Sequence, residues 1–219
     1  MLGVDHHLAR VGPERLTPGA LRSRFRSPPV WSPEHSVEKS FSDRQPALAA
    51  VLIPLVMRDE LMLLLTQRTD TLSTHAGQIA LPGGRTDDTD VDAVDTALRE
   101  AEEEIALPRS HVEVLGKLPT YVTGSAFVIT PVVALVRPGF TLTPNPGEVA
   151  DVFEVPLQYL MNPAHHRRHE LEFDGVMRQW LSMPYGPDAD ETLIAGTQER
   201  FIWGATAGML RNLYRFLSA

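Results

Sequence analysis

Three glutamates in the run Arg99-Glu100-Ala101-Glu102-Glu103-Glu104 stand at i, i+3 and i+4. On an α-helix that spacing puts the carboxylates of Glu100, Glu103 and Glu104 on one face. Like charges so placed weaken a helix by roughly 0.2–0.5 kcal/mol per pair unless a cation sits among them. Hard oxygen donors facing one point suit Mg2+ or Mn2+, ions that are shared with substrate phosphates. Glu102 falls on another face, where solvent suffices, and Arg99 is placed to orient a carboxylate. Upstream, Gly83-Gly84 supplies a loop without Cβ atoms, whose backbone N–H groups can come close to a substrate anion. A glycine loop, an acidic linker and a three-Glu helical face, in that order, describe a site for a diphosphate and a metal ion.

The charge is concentrated in the same place. The 219 residues include 20 Lys or Arg and 28 Asp or Glu, for a formal charge of −8. Residues 84–104 hold nine acids against Arg85 and Arg99, almost the whole imbalance, whereas residues 1–44 are net positive. Such a cluster repels a polyanion unless a cation neutralises it, so the expectation is no nucleic-acid partner. An apolar fraction of 43% with 22% charged residues belongs to a folded globular chain. The absence of cysteine rules out disulfides, thiol nucleophiles and Cys-ligated zinc, and it fits a reducing compartment. The N-terminal residues lack the apolar stretch of a secretory signal. The longest apolar run, 47–57, is interrupted by Pro54, and a spanning helix needs roughly 20 residues. A soluble, cytoplasmic protein with no membrane partner is the expectation.

The elements that must position the glutamates can be read in outline. Residues 1–46, rich in Arg, Pro and Ser, read as an N-terminal extension, partly helical over 16–25 and otherwise irregular. Residues 47–219 read as the main domain. Runs 47–57 and 61–67, split by Arg58-Asp59-Glu60, predict a β-hairpin, and residues 78–81 a short strand ending at Pro82-Gly83-Gly84. Val91, Val94, Leu98 and Ile105 recur at helical spacing, which predicts a helix over 90–106. Further strands are predicted at 112–119, 129–136 and 149–155, with a hairpin turning at Asp174-Gly175. His165-His166-Arg167-Arg168-His169 reads as a solvated basic loop. A helical stripe of Ile202, Ala205, Met209, Leu213 and Phe216 closes the chain, as core or as a dimer surface. Strands with isolated helices make the class α+β around a mixed β-sheet.

Residues 84–107 resemble the Nudix box, in which Gly, five residues, Glu, seven residues, Arg-Glu, an apolar residue, any residue and Glu-Glu lead to a Gly and an apolar residue. Gly84, Arg99, Glu100, Glu103, Glu104 and Leu107 match. Asp90 stands for the first Glu, one residue is added before Arg99, and Ala106 replaces the last Gly. Leu64-Leu65-Thr66-Gln67-Arg68-Thr69, then Gly77, then Leu81-Pro82-Gly83-Gly84, is similar to the signature of the coenzyme A pyrophosphatases. Thr69, Ser73 and Leu81 replace the Ser/Ala, Arg and Phe of that signature, and a hydroxyl cannot clamp a phosphate as a guanidinium does. The resemblance implies an α/β/α sandwich. It also implies metal-dependent hydrolysis of a nucleoside diphosphate derivative such as coenzyme A, with Mg2+ or Mn2+ held by Glu100, Glu103 and Glu104. Arg68 is implied to bind phosphate, and a homodimer is implied as well. The general base stays open between Glu103 and Glu148, the latter on the later loop Asn145-Pro146-Gly147-Glu148.

Overall fold

An unbroken buried run, residues 49–56, lies in the strand at the centre of the molecule. The computed structural model describes residues 1–35, 37–38, 45–70, 75–173, 175–186 and 199–219. That strand, β2 (Ala47–Met57), comes after β1 (Gly3–Val4) and α1 (Pro18–Arg26). After it come β3 (Leu61–Arg68), β4 (Ile79–Ala80), β5 (Gly83–Arg85), α2 (Ala93–Ile105), β6 (Val112–Lys117), β7 (Tyr121–Val122) and β8 (Phe127–Val136). The remainder is β9 (Val149–Pro156), α3 (Leu157–Leu160), β10 (Arg167–Phe173), β11 (Val176–Tyr185), β12 (Arg200–Trp203) and α4 (Gly204–Ser218).

The larger sheet runs β4-β3-β2-β8-β6, with β5 also beside β2, β7 beside β8 and β9 beside β3. β2 and β8 pair in parallel and the other pairs are antiparallel, so the sheet is mixed. Burial on both faces explains why β2 is apolar throughout rather than alternating. Side chains on alternate positions feed two cores. Ile53, Leu55, Leu63, Leu65, Val133 and Leu135 pack on one face with Leu210 and Leu213 of α4. Leu52, Val56, Leu64, Val132 and Ala134 pack on the other with Ala97, Ala101 and Ile105 of α2. Helix, mixed sheet and helix stack as an α+β sandwich. A smaller antiparallel sheet, β1-β10-β11-β12, flanks it. The N-terminal residues join the α4 side of the core: Val11, Leu16 and Leu21 are buried, and β1 pairs with β10.

Three sequence expectations are corrected. Val91 lies outside α2 and is 90% exposed, because Asp92 caps the helix through the N–H groups of Val94 and Asp95. Ile202 belongs to β12, and α4 begins only at Gly204. The segment 165–169 is no solvated loop: His166 is fully buried and Arg167 opens β10. Two further readings fall on residues outside those described, the hairpin tip at Asp174 and the substitution at Ser73, although Phe173 and Val176 do pair across that tip. The apolar stripe of α4 faces the core, while the exposed large apolar groups Phe201 and Trp203 sit on β12. No helix among the described residues is long and apolar enough to cross a membrane.

Candidate active site

The acidic helix is held at both ends. At its start, the Asp92 carboxylate accepts from two backbone N–H groups. At its end Ala106 takes the left-handed conformation (φ 55°) and its N–H reaches back to the Ala101 and Glu102 carbonyls. That closure is normally the work of glycine, the residue that the box has at this position. Arg99 ties the helix to the loop before it. Its Nε and Nη2 donate to the two carboxylate oxygens of Asp90, both at 2.9 Å, and Nη2 also donates to the Arg85 carbonyl at 3.0 Å. The third nitrogen, Nη1, donates to Glu100 at 2.9 Å and Glu103 at 2.8 Å. This fork holds the Asp90 carboxyl well below the usual carboxylate range, with Arg99 correspondingly raised.

The three helical carboxylates occupy different environments. Glu103 is open to solvent, its side chain 59% exposed. Glu100 is half-buried; burial raises its pKa against the pull of Arg99, and Glu103 and Glu148 push in the same direction as burial. Glu104 is 5% exposed. Its carboxyl is raised to about 7, chiefly by burial and also by Glu100 and Glu148, against the lowering effect of a donated N–H from Gly83 at 3.2 Å. Gly83 N–H therefore serves Glu104 in this structure. A Cβ at Gly83 would lie 2.4 Å from the Ala50 carbonyl, and one at Gly84 2.5 Å from the Glu100 carboxylate, so both positions exploit the missing side chain.

Glu148 and Arg68 arrive from elsewhere in the chain. Asn145 N–H donates to the Glu104 carbonyl at 2.8 Å and Thr143 N–H to that of Ile105 at 3.0 Å, which lashes the later loop to the end of α2. The loop then turns, with Glu148 and Val149 N–H donating to the Asn145 carbonyl. On its other side Thr69 N–H donates to the Glu148 carbonyl at 3.0 Å. Arg68, last residue of β3, lies close enough to Glu104 to lower its pKa. The Arg68 Nε is buried and has no hydrogen-bond partner among the described residues. An orphaned buried guanidinium nitrogen beside a carboxylate cluster fits an anionic ligand.

The donor chemistry also fits a divalent metal. Glu100, Glu103, Glu104 and Glu148 offer only oxygen, and their mutual repulsion is what a hard cation would relieve. Among the described residues no three acidic or histidine side chains already stand as a ligand cage; Arg99 engages two of the carboxylates instead. Arg200, which no spacing in the sequence marks, reaches these strand ends from β12, donating to Gln67 at 2.6 Å and to Asp151. His75, with φ 57°, bonds Gln78 at 2.9 Å.

Known proteins are similar to this chain. The NUDIX domain model matches residues 46–175. A protein of Yersinia enterocolitica described as an uncharacterized Nudix hydrolase, NudL, is 42% identical over 165 residues, covering 75% of this chain and 78% of its own. Its Yersinia pestis counterpart is 39% identical over 170 residues, covering 78% of this chain and 79% of its own. Among solved structures, the chain is similar to a C. elegans Ap4A hydrolase (19% identity, TM-score 0.43, 51% of this chain and 81% of that one). It is also similar to the NUDIX domain of Shewanella oneidensis NrtR complexed with ADP ribose (24% identity, TM-score 0.41, 52% and 75%).

Proposed function

The chain belongs to the Nudix family, and from that premise we propose that it hydrolyses the diphosphate bond of coenzyme A or a derivative with the help of Mg2+ or Mn2+. The observation that carries the reading is the Glu104 carboxylate, buried at the meeting point of Glu100, Glu148, the Gly83 N–H and Arg68. Glu100, Glu103 and Glu104 would hold the cation, which when bound neutralises the diphosphate and acidifies water. Asp90 and Arg99 orient the helix face that carries them. Arg68 donates to a phosphate oxygen through its free Nε, and the backbone at Gly83-Gly84 lets the diphosphate approach. Water loses its proton to an exposed carboxylate, Glu103 or Glu148. The water oxygen bonds to phosphorus, the bridging P–O bond breaks, and the bridging oxygen leaves with the other phosphate. Coenzyme A would give 3′,5′-ADP and 4′-phosphopantetheine.

Ser73, standing where the coenzyme A signature has Arg, favours a second reading in which another nucleoside diphosphate derivative is the substrate. Incubation with coenzyme A, ADP-ribose and NADH, each with Mg2+, Mn2+ or EDTA, separates the two. Metal-dependent 3′,5′-ADP in excess of AMP from the others supports the first, and the reverse pattern the second. No turnover of any would reject the coenzyme A assignment. The homodimer that the resemblance implies is tested by light scattering, where a mass near 24.3 kDa would reject it.

A further inference from the structure

Arg200 sits where a register error has been built into the sheet. β3 and β9 pair in register from Met62 opposite Pro156 up to Gln67 opposite Asp151; the next pair is Arg68 opposite Val149, so Ala150 is the extra residue of a bulge. A bulge bends its strand and re-aims the side chains next to it. The residues next to this one are Arg68 on one strand and Glu148, which immediately precedes the other. Arg200, its side chain 8% exposed, grips the last matched pair: Nη1 donates to Gln67 Oε1 at 2.6 Å and Nη2 to Asp151 Oδ2. The guanidinium lies 4.2 Å from the centroid of Phe153, two residues along β9. Gln67 alternates with Arg68 along β3, so the grip comes from the opposite side of the sheet to the carboxylates.

We propose that Arg200 is a positioning residue for the hydrolytic site: it clamps β3 to β9 at the bulge and thereby sets Arg68 and Glu148 beside Glu104. The proposal rests on the roles proposed for Arg68 and Glu148 in hydrolysis. A planar fork spans two acceptors on two strands, which the single ammonium of lysine does not.

The first arm of the test needs no substrate. In Arg200→Met, amide exchange at Arg68 and Thr69, whose N–H groups bond Gln78 and Glu148, is expected to quicken about tenfold while β2 and β8 stay protected. Unchanged exchange would overturn the proposal. The second arm is a double-mutant cycle with Arg68→Ala, using whichever of coenzyme A, ADP-ribose or NADH is turned over. Arg200→Met is expected to raise KM about tenfold through Arg68, and to lower kcat as well if Glu148 is the base, in the range usual for residues that support a functional group from behind. In the Arg68→Ala background its effect should shrink below about twofold. Independent, multiplying effects would make Arg200 a mere tie between β12 and the sheet. Arg200→Lys should leave KM raised, and recovery of the parent KM would sink the two-strand grip. Should Arg200→Met melt below assay temperature, Asp151→Asn weakens one arm of the clamp alone and is held to the same cycle. If Arg68→Ala by itself leaves KM and kcat unchanged, the assignment of Arg68 falls, and the exchange arm still judges the clamp.

Discussion

Two buried clusters of charge sit on opposite faces of the central sheet, and their charges are balanced in different ways. On the α4 side Asp5 and Glu34 meet Arg168 and Arg211, two acids against two guanidiniums. Arg211, 1% exposed, donates to Glu34 at 2.7 Å and to His166 Nδ1 at 2.9 Å and lies 3.0 Å from Asp5, while His166 Nε2 donates to the Leu160 carbonyl at 2.8 Å. Burial would raise Glu34, but His35, Arg168 and Arg211 outweigh it and hold the carboxyl well below its usual range. On the α2 side, Glu104 is more deeply buried, its neighbours are Glu100 and Glu148, and its pKa climbs to about 7. Where pairing is complete, charge fastens the N-terminal segment to the body. Where it is left incomplete, like charges stay together at the site proposed for a cation and a phosphate.

The contrast can be broken most forcefully at Arg211. Arg211→Met leaves Asp5 and Glu34 sharing Arg168, and removing one partner of a buried pair typically costs about 3–5 kcal/mol. At roughly 2–4 °C per kcal/mol for a chain of this size, thermal melting should fall by on the order of 10 °C. A loss too small to detect would mean that the network does not fasten the N-terminal segment. On the other side, Glu103→Gln and Glu104→Gln should each reduce kcat by about 100-fold or more. Charge neutralisation contributes several kcal/mol, and each 1.36 kcal/mol is roughly tenfold. Near-parent turnover by both variants with metal present would remove the site from that helix.

The clusters also respond to pH with opposite sign. Glu104 is raised from 4.5 to about 7. Its contribution is therefore full below about 4.5 and is lost as the pH rises through about 7, by up to about 3 kcal/mol. His166 is lowered from 6.5 to about 4 by burial. Its contribution is full above about 6.5 and is lost as the pH falls through about 4, again by up to about 3 kcal/mol. Between about pH 4.5 and 6.5 the two slopes offset one another in the metal-free protein. Glu104→Gln should unmask the His166 slope, so that denaturant stability rises with pH over that window. A variant with the same pH profile as the parent would contradict the raised Glu104 pKa.

The smallest effect concerns the end of α2. Ala106 carries a left-handed backbone at φ 55°, which a Cβ makes unfavourable by roughly 1 kcal/mol. Ala106→Gly should raise melting by about 2–4 °C and leave KM unchanged. A lowered melting temperature would show that the loss of the methyl outweighs the relief.

Ala106 also shows how far the sequence was legible. Its departure from the box glycine was visible as a letter, and only the φ angle says what the departure means. The helix over residues 90–106 was readable, but Val91 was counted into its stripe because a helical period continues smoothly through an N-cap that only backbone geometry marks. The same happened at Ile202, where a strand runs directly into a helix and its alternation mimics the helical stripe. His165–His169 read as solvated because the acids that hold Arg168, Asp5 and Glu34, lie more than 130 residues away. Arg200 left no trace in spacing for the same reason.

By itself, then, the amino-acid order determined the shared face of Glu100, Glu103 and Glu104, the Cβ-free loop ahead of them and the α+β class, since each stems from local periodicity or from the chemistry of one residue type. Only the tertiary structure decided that Glu104 is buried while Glu103 is open. It alone brought Asn145 to the Glu104 carbonyl so that Glu148 lies near the cluster, and it set Arg68 beside a bulge gripped by Arg200. Those outcomes depend on which strands become neighbours and in what register, and burial and pairing between distant residues have no local signature.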